Sequence, residues 1–185
     1  MSLVGIHSVD LIIIALCLIG MVFGFTQGLL RQVIVLGTLY VAAVLGMQYY
    51  SLVTGWMMAM FRSGVTNRFL NGVAFMLIVL VVATVLNIMA FDAYRATRLR
   101  LFPLLDHFGG SVLGLATIVI LISLVLPVAT FTLAEPMPYN DQWRVLVRDE
   151  ILLAQLVPLF KNFNPIILGA LSPWLPGGTP ALLAP

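Results

Sequence analysis

Apolar residues run almost without interruption along this chain, and the polar residues between them fall into short clusters that divide it into four segments. The first extends from Leu11 to about Phe25, the second from about Val33 to Tyr50, the third from Phe69 to Phe91 and the fourth from Phe108 to Phe131. The third and fourth carry no charged side chain over more than 20 residues. At a rise of about 1.5 Å per residue, each is long enough to cross a hydrocarbon layer about 30 Å thick. The first two are shorter and are joined tightly through FTQGLLRQ. The pattern predicts two separate spans there, with one long kinked helix or a re-entrant hairpin as the alternative.

Composition fixes the solvent. Of 185 residues, 62% are hydrophobic and 9% charged, and the mean hydropathy is +1.12. A soluble domain carries about 25% charged residues, so this chain lacks the polar surface to dissolve. It reads as an all-α membrane protein. The net charge of +2 forms no tract and gives no argument for nucleic acid. The single cysteine, Cys17, lies inside the first apolar run and has no partner within the chain. No Lys or Arg precedes that run and no small-x-small cleavage pattern follows it, so it is expected to be a retained span and not a signal peptide. Ser8 and Asp10 just before it mark a helix start, where a hydroxyl or carboxylate caps free amides.

Glycine spacing suggests how the spans pack. Gly20, Gly24 and Gly28 fall four apart and stack on one face of the first helix. Gly110 and Gly114 repeat the spacing at the start of the fourth, with Ala116 close by. In lipid, helices gain little from hydrophobicity alone, and small residues let backbones approach and pack by dispersion. The first and fourth helices are expected to meet there.

Basic residues bear on orientation. With four spans, Arg31 shares one side with the cluster Arg95, Arg98 and Arg100. Arg62, Arg68, Arg144, Arg148 and Lys161 fall on the other, among Glu135, Asp141, Asp149 and Glu150. The basic tail charges begin more than ten residues beyond the last span, so the Arg95 cluster is placed in the cytoplasm and both termini outside. After Phe131 a Pro-marked linker leads to DQWRVLVRDEILLAQLVPLF, opened by Asp141 and mixed in character. This reads as an amphipathic helix on the membrane surface with Trp143 at the headgroup boundary, or as a lid on the bundle. The apolar patch NPIILGALSPWLP is too short to cross a bilayer. The chain thus divides into a four-helix membrane domain (1–132), a linker and amphipathic helical region (133–172) and a disordered Pro/Gly tail (173–185).

The opening VDLIIIALCLIGMVFGFTQGLLRQ resembles the start of the colicin V production protein family, with Asp10, Gly24, Gly28 and Arg31 at that family's offsets. A second signature, an Asp-Arg pair followed by glycines at the head of the last span, matches Asp106, Gly110 and Gly114. Trp143 and the stretch Ala154 to Pro158 stand where the family has a Trp and then Ser-x-Leu-x-Pro. The departures are His107 for Arg, Gln27 for a second basic residue, Gln32 for Glu and Ala154 for Ser. The resemblance covers about residues 9 to 165. It implies a multi-pass protein of the bacterial inner membrane, similar to proteins needed for colicin V production and linked to envelope integrity. It implies no particular chemistry.

Asp106 and His107 sit at the edge of the fourth span, where a charge is cheaper than at its centre. Asp106 is expected to cap the first free amides of that helix and His107 to be replaceable. A metal would need more ligands, and the one other histidine is the remote His7. Asn87 and Gln48 are expected to bond between helices. The sequence contains no Ser-His-Asp set of plausible geometry, no phosphate loop and no His-Glu-x-x-His. No catalytic residue, cofactor or metal is therefore assigned. The expectation is a non-enzymatic accessory or scaffold protein that contacts membrane lipids and forms a homo-oligomer or binds a membrane protein partner. A small oligomeric channel or transporter with Arg31, Asp106 and Asn87 near its path is the alternative, and a membrane enzyme acting on lipid-linked substrates comes third.

Overall fold

The structure, a computed structural model, describes residues 7–60, 66–94, 103–136, 142–174 and 182. Four long helices dominate it: α1 (Ser8–Gln27), α2 (Leu29–Met60), α3 (Asn67–Tyr94) and α4 (Pro103–Thr132). Three shorter ones follow, α5 (Gln142–Leu153), α6 (Val157–Lys161) and α7 (Asn164–Leu171), and then a single 3-10 turn at Ser172–Trp174. No strand occurs among the described residues. Helices are the form an apolar segment must take in lipid, because only they satisfy every backbone N–H and C=O within one segment.

All four long helices are long and apolar enough to cross a membrane. Their outward faces carry bare hydrocarbon: Val22 is 62% exposed and Leu80 69%. Such a surface is stable against acyl chains and not against water. The first two segments form separate helices, divided at Gly28, so the single kinked helix is not what forms. The second helix is far longer than the segment expected from Val33 to Tyr50.

Directions follow from the contacts. Gly20 lies against Ile118 and Gly28 against Asp106, so α1 and α4 run antiparallel. Leu29 bonds Asp106, while Leu39 and Met47 share a core with Leu124 and Val128. Accordingly α2 runs alongside α4 in the same direction, and α3 returns against both. One end of the bundle holds the α1–α2 turn, the end of α3 and the start of α4. The other holds Asp10, the end of α4 and the start of α3.

Two apolar cores result. In one, Leu39, Ala42, Ala43 and Met47 of α2 interleave with Phe75 and Val79 of α3 and with Leu124 and Val128 of α4. In the other, Ile13 of α1 and Ile122 and Leu126 of α4 meet Ile151, Ala154, Val157 and Phe160 from the α5–α6 elbow. The elbow bends by 80°. Ala154 N–H still bonds the Glu150 carbonyl, Pro158 has no N–H to continue the helix, and a fresh helix starts at Val157.

The C-terminal region is fastened to the bundle. The Tyr40 hydroxyl donates to the Ala170 carbonyl at 2.9 Å, and Gln48 Nε2 to the Trp174 carbonyl at 3.0 Å. In α5, Arg144 and Ile151 turn inward while Trp143, Leu146 and Leu153 stay exposed. Arg144 Nη1 donates to the Leu133 carbonyl at the end of α4. The tail expected to be disordered, 173–185, lies mostly outside the described residues. Within it, Trp174 belongs to the 3-10 turn and Leu182 is buried in the α2–α3–α4 core.

Candidate functional site: a glycine seam with a carboxylate at each end

Gly20, Gly24, Gly110 and Gly114 form a line of contact in which α1 and α4 touch backbone to backbone. A Cβ built on Gly24 runs into the Gly110 carbonyl oxygen and comes within 3.0 Å of Gly114 Cα. Conversely, a Cβ on Gly110 meets the Gly24 carbonyl oxygen, and one on Gly114 comes within 2.9 Å of Gly24 Cα. Gly20 faces the Gly114 carbonyl oxygen and the side chain of Ile118. At Gly24, Gly110 and Gly114 the neighbours are backbone, so no side chain can step aside for an added carbon.

At one end the seam closes on Gly28, which has φ +82° and lies between α1 and α2. That conformation favours glycine, because an L side chain there crowds the following carbonyl. The Asp106 carboxylate is seated directly on the α-carbon of Gly28, and its Oδ1 accepts the Leu29 N–H at 2.8 Å. Leu29 is the first residue of α2, whose amides lack helical partners.

The assignment of Asp106 as the cap of its own helix is therefore corrected. It stands in the first turn of α4 and caps α2 instead. The next residue completes the clamp. His107 Nδ1 lies 2.7 Å from the Phe25 carbonyl oxygen near the end of α1, and a carbonyl only accepts, so this nitrogen carries the proton. Its ring also packs on Phe25, with centroids 5.1 Å apart. From two consecutive positions, α4 holds a free amide of α2 and a late carbonyl of α1. His107 is thus tied into the turn, where the sequence suggested a replaceable residue.

At the opposite end of α1, Asp10 is 3% exposed. Its Oδ2 accepts the His7 N–H at 3.2 Å, which closes the start of α1. The same carboxylate accepts Gln155 N–H at 3.1 Å and Leu156 N–H at 2.9 Å. Those amides sit at the elbow, where continued helix would bond them to earlier carbonyls of α5. Asp10 takes them instead and so stabilises the bend. His7 and Glu150 approach to 3.7 Å beside it. Asp10 and Asp106 thus do the same task at the two ends of one helix pair, each joining its own helix to the start of another.

Other polar residues are placed singly. Arg31 belongs to α2 and not to a loop, and its guanidinium lies 3.8 Å over the Phe91 ring of α3. Asn87 donates to the Ala83 carbonyl of its own helix at 2.8 Å, which corrects the expected bond between helices. Gln32, 6% exposed, donates through Nε2 to Thr117 Oγ1 at 3.2 Å and so links α2 to α4 inside the apolar layer. Thr117 in turn donates to the Leu113 carbonyl. The Gln32–Thr117 pair escaped the sequence reading; two polar residues inside apolar runs were its available signal. Trp143 lines a shallow apolar depression with Phe69, Val128 and Leu133. Arg95, Arg98, Arg100 and Asp141 lie outside the described residues.

Among the described residues, no group of three His, Cys, Asp or Glu side chains could hold a metal ion. Two cavities among the described residues are lined by hydrocarbon, the larger of the two lying between α2, α4 and α7. What the polar groups accomplish here is helix joining.

The family model described as colicin V production protein matches residues 9–163, a stretch that includes both aspartates and all the glycines of the seam. No curated protein and no solved structure gives a significant match.

Proposed function

The chain belongs to the colicin V production protein family, and from that premise we propose that it is a non-catalytic accessory or scaffold protein of the bacterial inner membrane, acting in colicin V production or export and in envelope integrity. One observation carries the reading. The aspartates and glycines of the family signature are engaged in holding helices, as where Asp106 takes the Leu29 amide at 2.8 Å while packed on Gly28. A carboxylate in that role gives the fold a fixed shape. Partners then meet the apolar outer faces, either as a second copy or as another membrane protein. The Arg95 cluster faces the cytoplasm, and the N-terminus and α5 the opposite side.

A small oligomeric channel is the alternative reading, and a strict monomer in native detergent would weaken it, because four spans enclose little volume alone. The test is complementation. In a colicin V-producing bacterium stripped of its own family member, the wild-type chain restores toxin release and detergent resistance, and a Gly24→Leu variant does not. Normal accumulation of the wild-type chain in the membrane with no recovery of either trait would overturn the proposal. A reporter active only outside the cytoplasm, fused after Lys161, tests the orientation and is expected to be active.

A further inference from the structure

The core between α2, α3 and α4 is flanked by an apolar groove. Between α2, α4 and α7 lies a cavity of about 740 Å³. Val33, Gly37 and Tyr40 form one wall, Ala116 and Ile120 the second, and Ile167 of α7 stands in the third. The third wall is held in place by the Tyr40–Ala170 bond, which also occupies the Tyr40 hydroxyl. The fourth side is open, since Val33 and Ile166 on the rim are 46% and 68% exposed. Both long walls belong to membrane-spanning helices, so this opening faces the hydrocarbon layer.

Three physical facts narrow the occupant. Water needs two to four polar partners to stay in a cavity, and this one is lined by hydrocarbon. A groove left bare forfeits the dispersion contacts of its walls, and in a bilayer the atoms at hand to restore them are acyl methylenes. The volume falls within the range of binding sites for small ligands, about 300–1,000 Å³. We propose that the groove between α2, α4 and α7 is a binding site for one acyl chain of a bilayer phospholipid, which enters from the side and completes the packing of α7 on the bundle. The site distinguishes this lipid from the mobile lipids around the outer faces, because hydrocarbon surrounds the chain on three sides instead of one.

Gly37 gives a clean way to test this. A Cβ built there meets nothing within 4 Å, although Gly37 lines the cavity. The first carbon of a larger side chain is accommodated there, and Gly37→Leu is expected to extend into the groove. The full chain is placed in vesicles containing a phosphatidylethanolamine with a photoreactive diazirine in one acyl chain, then irradiated and digested. Peptides carrying Gly37, Ile120 and Ile167 are expected to be labelled well above those carrying the outward Val22 and Leu80. Gly37→Leu is expected to remove that excess and to leave Val22 and Leu80 labelling unchanged. Displaced methylenes pass into bilayer hydrocarbon, so what the variant removes is the packing contact of the groove walls, and groove labelling is expected to fall to the level of the outer faces. Equal labelling of groove and outer faces in the wild-type chain would overturn the site, whatever the variant does. So would groove labelling that survives Gly37→Leu.

Discussion

Two helix pairs in this bundle solve the same packing problem with different materials. Along α1 and α4 the contact is backbone on backbone, with Gly20 and Gly24 against Gly110 and Gly114. Along α2 and α3 it is side chain into side chain, with Phe75 and Val79 set among Leu39, Ala42, Ala43 and Met47. A glycine occurs in both. The Cβ of an enlarged Gly24 would strike a carbonyl oxygen, whereas that of Gly46 would meet the Val79 methyl at 2.8 Å and the Phe75 ring edge at 3.0 Å. A backbone cannot rotate away, and a valine methyl or a phenyl ring shifts by tenths of an ångström. The first pair is therefore specified by the absence of side chains and the second by their shapes. The first also has polar locks at both ends, which suits a contact that has little area to lose.

The largest effect should come from breaking the first material. Gly24→Leu forces the helices apart, and a destabilisation of about 3 kcal/mol or more is expected. Thermal unfolding in detergent and folded yield measure it. The sharper form compares Gly24→Ala with Gly46→Ala, where the first should lower the melting temperature more. Equal losses would mean that the two seams are alike after all.

Next comes the second material. Phe75 is fully buried, and Phe75→Ala leaves a void that loses dispersion contacts on every side, costing about 3 kcal/mol. Phe75→Leu should keep most of the stability, since side-chain packing tolerates changes that conserve volume. A backbone seam has no such conservative variant. If Phe75→Leu proves as damaging as Phe75→Ala, the contrast between the pairs is weaker than the geometry implies.

The carboxylate lock follows. Asp106→Ala removes the acceptor of the Leu29 amide and should cost about 1 to 2 kcal/mol, with Asp106→Asn between it and the parent. Gly28→Ala should cost a similar amount, through its positive φ and through collision with Asp106. The collision disappears in an Asp106→Ala background. The double variant should therefore be more stable than the sum of the two single losses predicts. Strict additivity in unfolding measurements would separate Asp106 from Gly28 and remove the lock.

The smallest effect is assigned to the buried bond between α2 and α4. A cycle of Gln32→Ala and Thr117→Ala should give a coupling of about 0.6 kcal/mol, the usual size for hydrogen bonds between membrane helices. A coupling of zero would leave the Asp106–Leu29 bond as the polar link between α2 and α4.

Much of the framework was legible from the chain. Charge-free runs located α3 and α4, and the glycine register marked the faces of α1 and α4 that come together. The oddity of Asp106 and His107 at the head of a span was visible too, and so was a structural role for Asp106. Its partner was not. A carboxylate in a first turn reaches its own amides in an isolated helix, so capping of α4 was the local answer. The close approach that Gly24 and Gly110 allow brings Leu29 nearer than any pattern in the chain could indicate. Asn87 failed the opposite way: a partner across the bundle was anticipated, and the Ala83 carbonyl one turn back takes its amide.

By itself, then, the sequence determined the solvent, the helical form of the apolar segments and the faces that lack side chains. These follow from composition and from spacing along one segment, where hydrocarbon excludes water and a helix satisfies its own backbone. Only the tertiary structure decided which amides the aspartates take, why the chain bends at Gln155 and Leu156, and how α7 walls off a groove beside α2 and α4. The physical reason is reach. A hydrogen bond forms over about 3 Å, and residues 77 and 146 positions apart come that close only after the helices have packed.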